Sequence, residues 1–101
     1  MSNIEVMKIK LMRKRILDNL NIMYPTGMRL DSLFRTVIPF DQTYDANLFK
    51  KDMTYLKEKN YICYVDEALG GFANFMSKVA KLTVEGKEVA EGTDTDKALE
   101  I

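Results

Sequence analysis

The chain of 101 residues contains no histidine and a single cysteine, Cys63. Without histidine it lacks the most frequent general acid and base of enzymes and the most frequent nitrogen ligand of metal ions. One cysteine forms neither an internal disulfide nor a thiolate zinc site. We therefore expect no catalytic residues, no metal site and no cofactor. Cys63, inside a strand-like segment, is expected to be a buried, inert thiol.

Long apolar runs are also missing. No stretch approaches the roughly 20 apolar residues of a membrane span, and the first residues mix charges among apolar side chains, unlike a secretory signal. With 47% apolar and 30% charged residues, the composition is that of a globular protein. We expect one cytoplasmic domain over residues 1–92, in which 1–8 form a possible helical extension, and a polar tail over 93–101.

Net charge is zero, but it is distributed unevenly. Residues 2–82 carry thirteen Lys and Arg against nine Asp and Glu, a net of +4, whereas residues 83–101 carry two against six, a net of −4. A basic body followed by an acidic end is typical of a domain that meets an anion.

Helical periodicity is longest from about Ile4 to Tyr24, before Pro25 and Gly27 end the pattern. The residues predicted to face inward are Ile9, Met12, Ile16, Leu20 and Met23. Ile4, Met7 and Leu11 form a second apolar stripe. That stripe has two interpretations: a surface for a partner helix, or a frayed first turn.

Two further helices are predicted, over Met28–Val37 and Asp45–Asn60. In the first, the inward residues are Leu30, Leu33, Phe34 and Val37; in the second they are Ala46, Phe49, Met53 and Leu56. Thr43 or Asp45 can cap the third helix. Its outward row is Asn47, Lys50, Lys51 and Thr54. Such a row contacts bases and phosphates in a DNA groove, or is simply a solvated helix face.

The second half of the chain has the pattern of a β-hairpin and a helix. Tyr61–Asp66 and Met76–Leu82 are strand-like, and Gly70-Gly71 marks the turn between them. Leu69, Phe72 and Phe75 near the tip have two interpretations, and a local core under the loop is favoured over an exposed partner site. Thr83 is predicted to cap a final helix that Gly92 ends.

This order, with these residues, resembles a winged helix-turn-helix domain over roughly Met12 to Gly92. RKRILDNLNIMYPTGMRLDSLF, residues 13–34, resembles the opening helix and its turn into the second. FKKDMTYLKEKNYI, residues 49–62, is similar to a recognition helix, with Asn60 at the place where glycine is most common. KLTVEGKEVAEG, residues 81–92, is very like the segment after the wing in PadR-like and MarR-like repressors. Small winged-helix proteins of bacteria and phages share this overall look.

The resemblance implies an α+β, mainly helical fold: a three-helix core, a two-stranded β wing and a C-terminal helix. It further implies a transcriptional regulator that binds double-stranded DNA, with the third helix in the major groove. The DNA-contacting residues would be Asn47, Lys50, Lys51 and Thr54 on that helix, and Asn74 and Lys78, with Lys81 as a further candidate, on the wing. A homodimer through the N-terminal and C-terminal helices would fit this role.

An alternative function is a winged-helix adaptor that binds protein. The predicted recognition helix contains no arginine, and the wing opens with Asp66 and Glu67. Because bidentate Arg–guanine contacts are the most common specific ones, both features favour low sequence specificity or a protein partner.

Overall fold

A computed structural model describes residues 3–65 and 75–92, apart from the side chain of Phe40. The helices are α1 (Asn3–Met23), α2 (Leu30–Val37), α3 (Ala46–Glu58) and α4 (Val84–Ala90), and the strands are β1 (Met28–Arg29), β2 (Ile62–Val65) and β3 (Val79–Leu82). Single 3-10 turns follow α2 at Ile38–Phe40 and precede β3 at Phe75–Ser77. The predicted α+β, mainly helical class is confirmed.

The apolar stripe of α1 faces the core of the domain. Met12, Ile16 and Leu20 are buried as predicted, and so is Leu17. The prediction for Met23 was wrong, since its side chain is 42% exposed. Tyr24, four residues after Leu20, packs against the core instead. The stripe thus continues at a spacing of four and leaves Met23 on the outer side.

The sheet corrects the prediction of two strands. Met28 and Arg29, expected in the second helix, form β1 and pair antiparallel with Ala80 and Val79 of β3. On its other side β3 pairs with β2, in the register Ile62 to Leu82, so the strand order is β1-β3-β2. Two residues are too few to show strand periodicity in a sequence, and their partners lie some fifty positions away.

The hairpin strands differ from the prediction at one end. The returning strand begins at Val79 and not at Met76, because Phe75–Ser77 form a 3-10 turn. Lys78 precedes the strand, and its carbonyl accepts a 2.9 Å hydrogen bond from the N–H of Leu30 at the start of α2. Lys78 is thereby held at the junction of the sheet and the helical layer.

The N-terminal ends of α3 and α4 are capped by residues that the sequence predicts. Asp45 accepts a 2.9 Å hydrogen bond from the N–H of Leu48 and caps α3. Asn60, with φ of 64°, turns the chain from α3 into β2. Thr83 caps α4 by accepting from the N–H of Gly86 at 3.0 Å, and it donates to the carbonyl of Asn60 at 2.6 Å. Gly92, with φ of 79°, follows α4.

The core lies between the helices and the sheet. Phe49, Met53 and Leu56 of α3 are fully buried in this core. The prediction that Ala46 faces inward was wrong, since this residue is exposed. Ala46 is the first residue of α3 and precedes the turns that pack against the core. In α2, Leu30, Leu33 and Val37 are fully buried, and Phe34 is half-buried against them. Cys63, expected to be buried, is only half-buried on β2.

Candidate nucleic-acid interface

The outward face of α3 gathers four of the predicted contact residues. All four are exposed, and together with Tyr55 and Glu58 they line one open depression of about 600 Å³: Asn47, Lys50, Lys51 and Thr54. All of these lining residues belong to α3. The opposite side of the helix lies in the core, where Phe49, Met53 and Leu56 are buried. A shallow, open depression on one helix offers little enclosure for a small molecule but is open to an extended partner.

The two lysines of this face extend toward different neighbours. The Nζ of Lys50 lies 5.5 Å from the ring centroid of Phe75, on the side of the sheet. Lys51 also lines the groove between α1 and α3. Among residues 3–65 and 75–92 neither lysine forms an ion pair with a carboxylate. Within that part of the chain, no carboxylate neutralises either charge.

The sheet side of α3 carries a second group of lysines. Tyr64 of β2 lies against Phe75 with ring centroids 6.5 Å apart. The Nζ atoms of Lys57 and Lys78 lie 5.6 and 5.0 Å from the centroid of Tyr64. The structure places the predicted Lys78 beside α3, together with Lys57 and Tyr64, which sequence reasoning did not identify. In the sequence, the signal for this group is an aromatic residue, Tyr64, in the strand that follows the lysine-bearing helix.

The hairpin tip is described only in part. Phe75 packs against the core and lies 6.4 Å from the ring of Phe49, in agreement with the interpretation of a local core. The other tip residues, Leu69 and Phe72, the turn glycines and the predicted contact Asn74 lie outside the described residues.

On its other side α3 forms a groove with α1, of about 440 Å³. Its apolar part is supplied by Ile9, Met12 and Leu48. The charged residues that line it are Glu5, Lys8, Arg13, Asp41, Lys51 and Asp52. Three cations and three acids make this groove electrostatically balanced.

A buried charged network fixes α3 against α1. Asp52 is 5% exposed, and it accepts hydrogen bonds from Nε of Arg13 at 3.0 Å and from the hydroxyl of Tyr44 at 2.6 Å. The guanidinium carbon of Arg13 lies 3.8 Å from the ring centroid of Tyr55. Tyr55 in turn borders the outward depression. The network thus sets the position of the face that carries the lysines.

Burial determines the protonation behaviour of this network. Desolvation raises the pKa of Asp52, although the hydrogen bonds from Tyr44 and Arg13 act in the opposite direction. Burial and the neighbouring Asp52 hold the pKa of Tyr44 above its ordinary value, so its hydroxyl remains a donor.

The sequence contains a signal for this network that periodicity analysis missed. Asp52 stands three residues after Phe49 and four before Leu56, within the apolar stripe of α3. Arg13 stands three residues before Ile16 and four before Leu17, within the stripe of α1. A charged residue at a core spacing in each of two helices predicts a buried pair.

Neither a metal-binding cluster nor a membrane-spanning helix occurs in the part of the chain that the structure describes. Within residues 3–65 and 75–92, no cluster of three His, Cys, Asp or Glu side chains is arranged to hold a metal ion. None of the helices described has the length and apolar character needed to cross a bilayer.

Comparisons with protein-family models, with curated proteins and with solved structures found no match to this chain.

Proposed function

We propose that this protein is a winged helix-turn-helix DNA-binding protein and acts as a transcriptional regulator. The exposed row on α3, with two lysines that no carboxylate neutralises within the described residues, carries the proposal. The order α1-β1-α2-α3-β2-β3-α4 and the strand order β1-β3-β2 support it. They form a helical core with α2 and α3 in succession, followed by a hairpin, which is the arrangement expected for a wing.

In this proposal α3 enters the major groove of duplex DNA, which is about 12 Å wide and accommodates a helix. Asn47 matches an adenine edge, and Lys50 and Lys51 match guanine acceptors or phosphates. The hydroxyl of Thr54 donates to the carbonyl of Lys50 at 2.8 Å, so its oxygen lone pairs and its methyl group face the DNA. Lys78 contacts the backbone beside the helix.

The absence of arginine from α3 sets the expected mode of binding. Lysine acts as a point charge and does not supply the bidentate fork that selects guanine. We therefore propose that phosphate contacts supply most of the affinity and that sequence specificity is low.

A homodimer is part of the proposal. Ile4 and Met7 on the first turns of α1 are 68% and 51% exposed, and α4 packs against α1. We propose that α1 and α4 form the contact between two copies, each of which places its α3 in one half-site.

The Lys50→Ala, Lys51→Ala double variant tests the DNA-binding face. We expect its affinity for a mixed-sequence duplex to fall roughly tenfold at moderate salt, because two phosphate-neutralising charges are lost. The slope of log K against log salt concentration should become shallower by about 1.8. Fluorescence anisotropy across a salt series measures both quantities.

The matched control is the Lys14→Ala, Lys87→Ala double variant. It removes the same charge from α1 and α4, where Lys14 pairs with Asp18 and Lys87 with Glu91. It should keep the wild-type slope, provided that light scattering shows an unchanged mass in solution. If wild-type protein at micromolar concentration does not bind the duplex in low salt, the proposed function is wrong.

A second candidate function, a protein-binding adaptor, is favoured by one observation. Ile4, Met7 and Leu48 are large apolar side chains that remain 68%, 51% and 39% exposed, and Leu48 lines the balanced α1–α3 groove. Exposed apolar groups rimmed by charges of both signs suit a protein surface better than a polyanion. Wild-type protein that fails to bind duplex DNA would favour this function.

A further inference from the structure

The side of α1 that faces away from the core carries residues at alternating spacings of four and three. Such a spacing is that of the seam between two paired helices. Met12, Ile16 and Leu20 hold the other side of α1 in the core. We call the six residues at the seam spacing the outer face of α1, and they are Ile4, Lys8, Leu11, Arg15, Asp18 and Ile22.

The two ends of this outer face are apolar and strongly exposed. Ile4 is 68% exposed and Ile22 is 79% exposed. Removal of an isoleucine side chain from water contributes about 1.5–3 kcal/mol, so a partner that covers both ends gains substantially. The two residues lie about 27 Å apart along the helix, at a rise of 1.5 Å per residue. A partner that covers both must therefore be elongated, as a second helix is.

The charges between these ends differ in sign. Lys8 forms no ion pair among residues 3–65 and 75–92, and one carboxylate oxygen of Asp18 accepts from Lys14 of its own helix at 3.3 Å. A second copy of α1 in parallel orientation would place like charges opposite each other. An antiparallel copy places Lys8 opposite Asp18 in both directions. The charge pattern is thus complementary to itself only in the antiparallel orientation.

The antiparallel orientation also matches the remaining residues of the outer face. The aliphatic stem of Arg15 can cover Leu11 of the other copy while its guanidinium stays at the edge of the seam. A two-fold axis at residue 13 forms each pair twice. The three pairs centred on that residue are Ile4 with Ile22, Lys8 with Asp18, and Leu11 with Arg15.

We propose that the outer face of α1 binds the same face of a second copy of this chain, antiparallel and in the register that pairs Ile4 with Ile22. This inference rests on the homodimer of the proposed function and deepens it, because it assigns the seam, the orientation and the register. The pairing itself requires no DNA. An isoleucine layer closes each end of the seam, and a Lys8–Asp18 ion pair next to each layer fixes the register.

Cysteine cross-linking tests the register in the full-length chain. In a Cys63→Ser background, an equimolar mixture of the Ile4→Cys and Ile22→Cys variants should form a covalent dimer under mild oxidation. Each variant alone should remain monomeric on a non-reducing gel, because the proposed pairing keeps identical positions about 27 Å apart. A disulfide requires Cα atoms within about 7 Å. Parallel helices would instead cross-link each variant with itself.

The mass in solution provides a second measurement. Light scattering across a concentration series should show wild-type protein approaching twice the chain mass of 11.7 kDa. Ile22→Glu should raise the dissociation constant of the dimer roughly a hundredfold, because two isoleucine layers are lost. The matched control is Leu48→Glu, which changes an apolar side chain that is 39% exposed on α3, outside the seam. It should leave the dissociation constant unchanged.

The outcomes separate this inference from the proposed function. A wild-type protein that stays monomeric throughout the series, or single variants that cross-link with themselves, would overturn the antiparallel seam. Duplex binding by that protein would leave the DNA-binding proposal standing. A dimer whose mixed variants cross-link between positions 4 and 22 supports the seam, and failure of this dimer to bind duplex DNA would overturn the proposed function alone.

Discussion

Replacement of Asp52 by alanine should lower the free energy of unfolding by about 3 kcal/mol. The substitution leaves the buried hydroxyl of Tyr44 without the acceptor that lies 2.6 Å away, and it leaves Arg13 without its carboxylate. Complete loss of one partner from a fully buried ion pair costs about 3–5 kcal/mol. We place the effect at the lower end, because the side chain of Arg13 is 18% exposed and stacks on Tyr55.

Urea unfolding followed by circular dichroism measures this effect. A loss of this size is a large part of the roughly 5–15 kcal/mol that stabilises a typical domain, and the melting temperature should fall by roughly 15 °C. The matched control is Asp18→Ala, which removes an exposed carboxylate paired with Lys14 on α1. That change should cost less than about 0.5 kcal/mol. If Asp52→Ala costs no more than Asp18→Ala, the network does not stabilise the fold.

The same network predicts a pH dependence. Burial raises the pKa of Asp52 in the folded protein above its ordinary value of 3.8. As the pH falls through the raised pKa toward 3.8, the folded state takes up a proton that the unfolded state does not yet bind. Protonation therefore favours folding in this window. The free energy of unfolding of the wild type should therefore exceed that of Asp52→Ala by a growing margin as the pH is lowered from 7 toward 4. Urea titrations at a series of pH values would measure this difference. A difference that narrows would contradict the direction of the shift.

Features of the fold that depend on neighbours in the chain were predictable from the sequence. The outward row of α3 follows from helical periodicity alone, and all four of its residues are exposed. The caps at Asp45 and Thr83 and the left-handed Asn60 follow from local backbone chemistry, in which a short polar side chain satisfies or relaxes the helix end. The structure agrees with the sequence at each of these positions.

Features that depend on distant residues could not be predicted in this way. β1 is a strand only because β3 supplies its hydrogen-bond partners, and Met28 and Arg29 on their own show no strand pattern. Arg13 and Asp52 meet across 39 positions. The lysines around Tyr64 come together only when the sheet docks beside α3. Each of these contacts is a property of packing, which periodicity in one segment does not encode.

Gly86→Ala should also cost about 3 kcal/mol. Gly86 lets α4 lie close to the backbone where β2 begins. A Cβ at position 86 would overlap the carbonyl oxygen of Tyr61 and would lie 2.8 Å from its carbonyl carbon. Backbone atoms cannot rotate away as a flexible side chain can, so α4 has to move as a unit.

Displacement of α4 by this substitution would break the contacts that join it to the end of α3. The N–H of Thr83 donates to the carbonyl of Tyr61 at 3.0 Å, and the hydroxyl of Thr83 donates to Asn60. Alanine has the higher helix propensity, by about 1 kcal/mol, but the overlap outweighs that gain. Thermal and urea unfolding should show the loss. Gly92→Ala is the control, because a Cβ at position 92 would meet no atom within 4 Å. This substitution should cost only about 1 kcal/mol, which is the strain of alanine at a φ of 79°. If Gly86→Ala costs no more than Gly92→Ala, the close approach of α4 to Tyr61 does not require glycine at position 86.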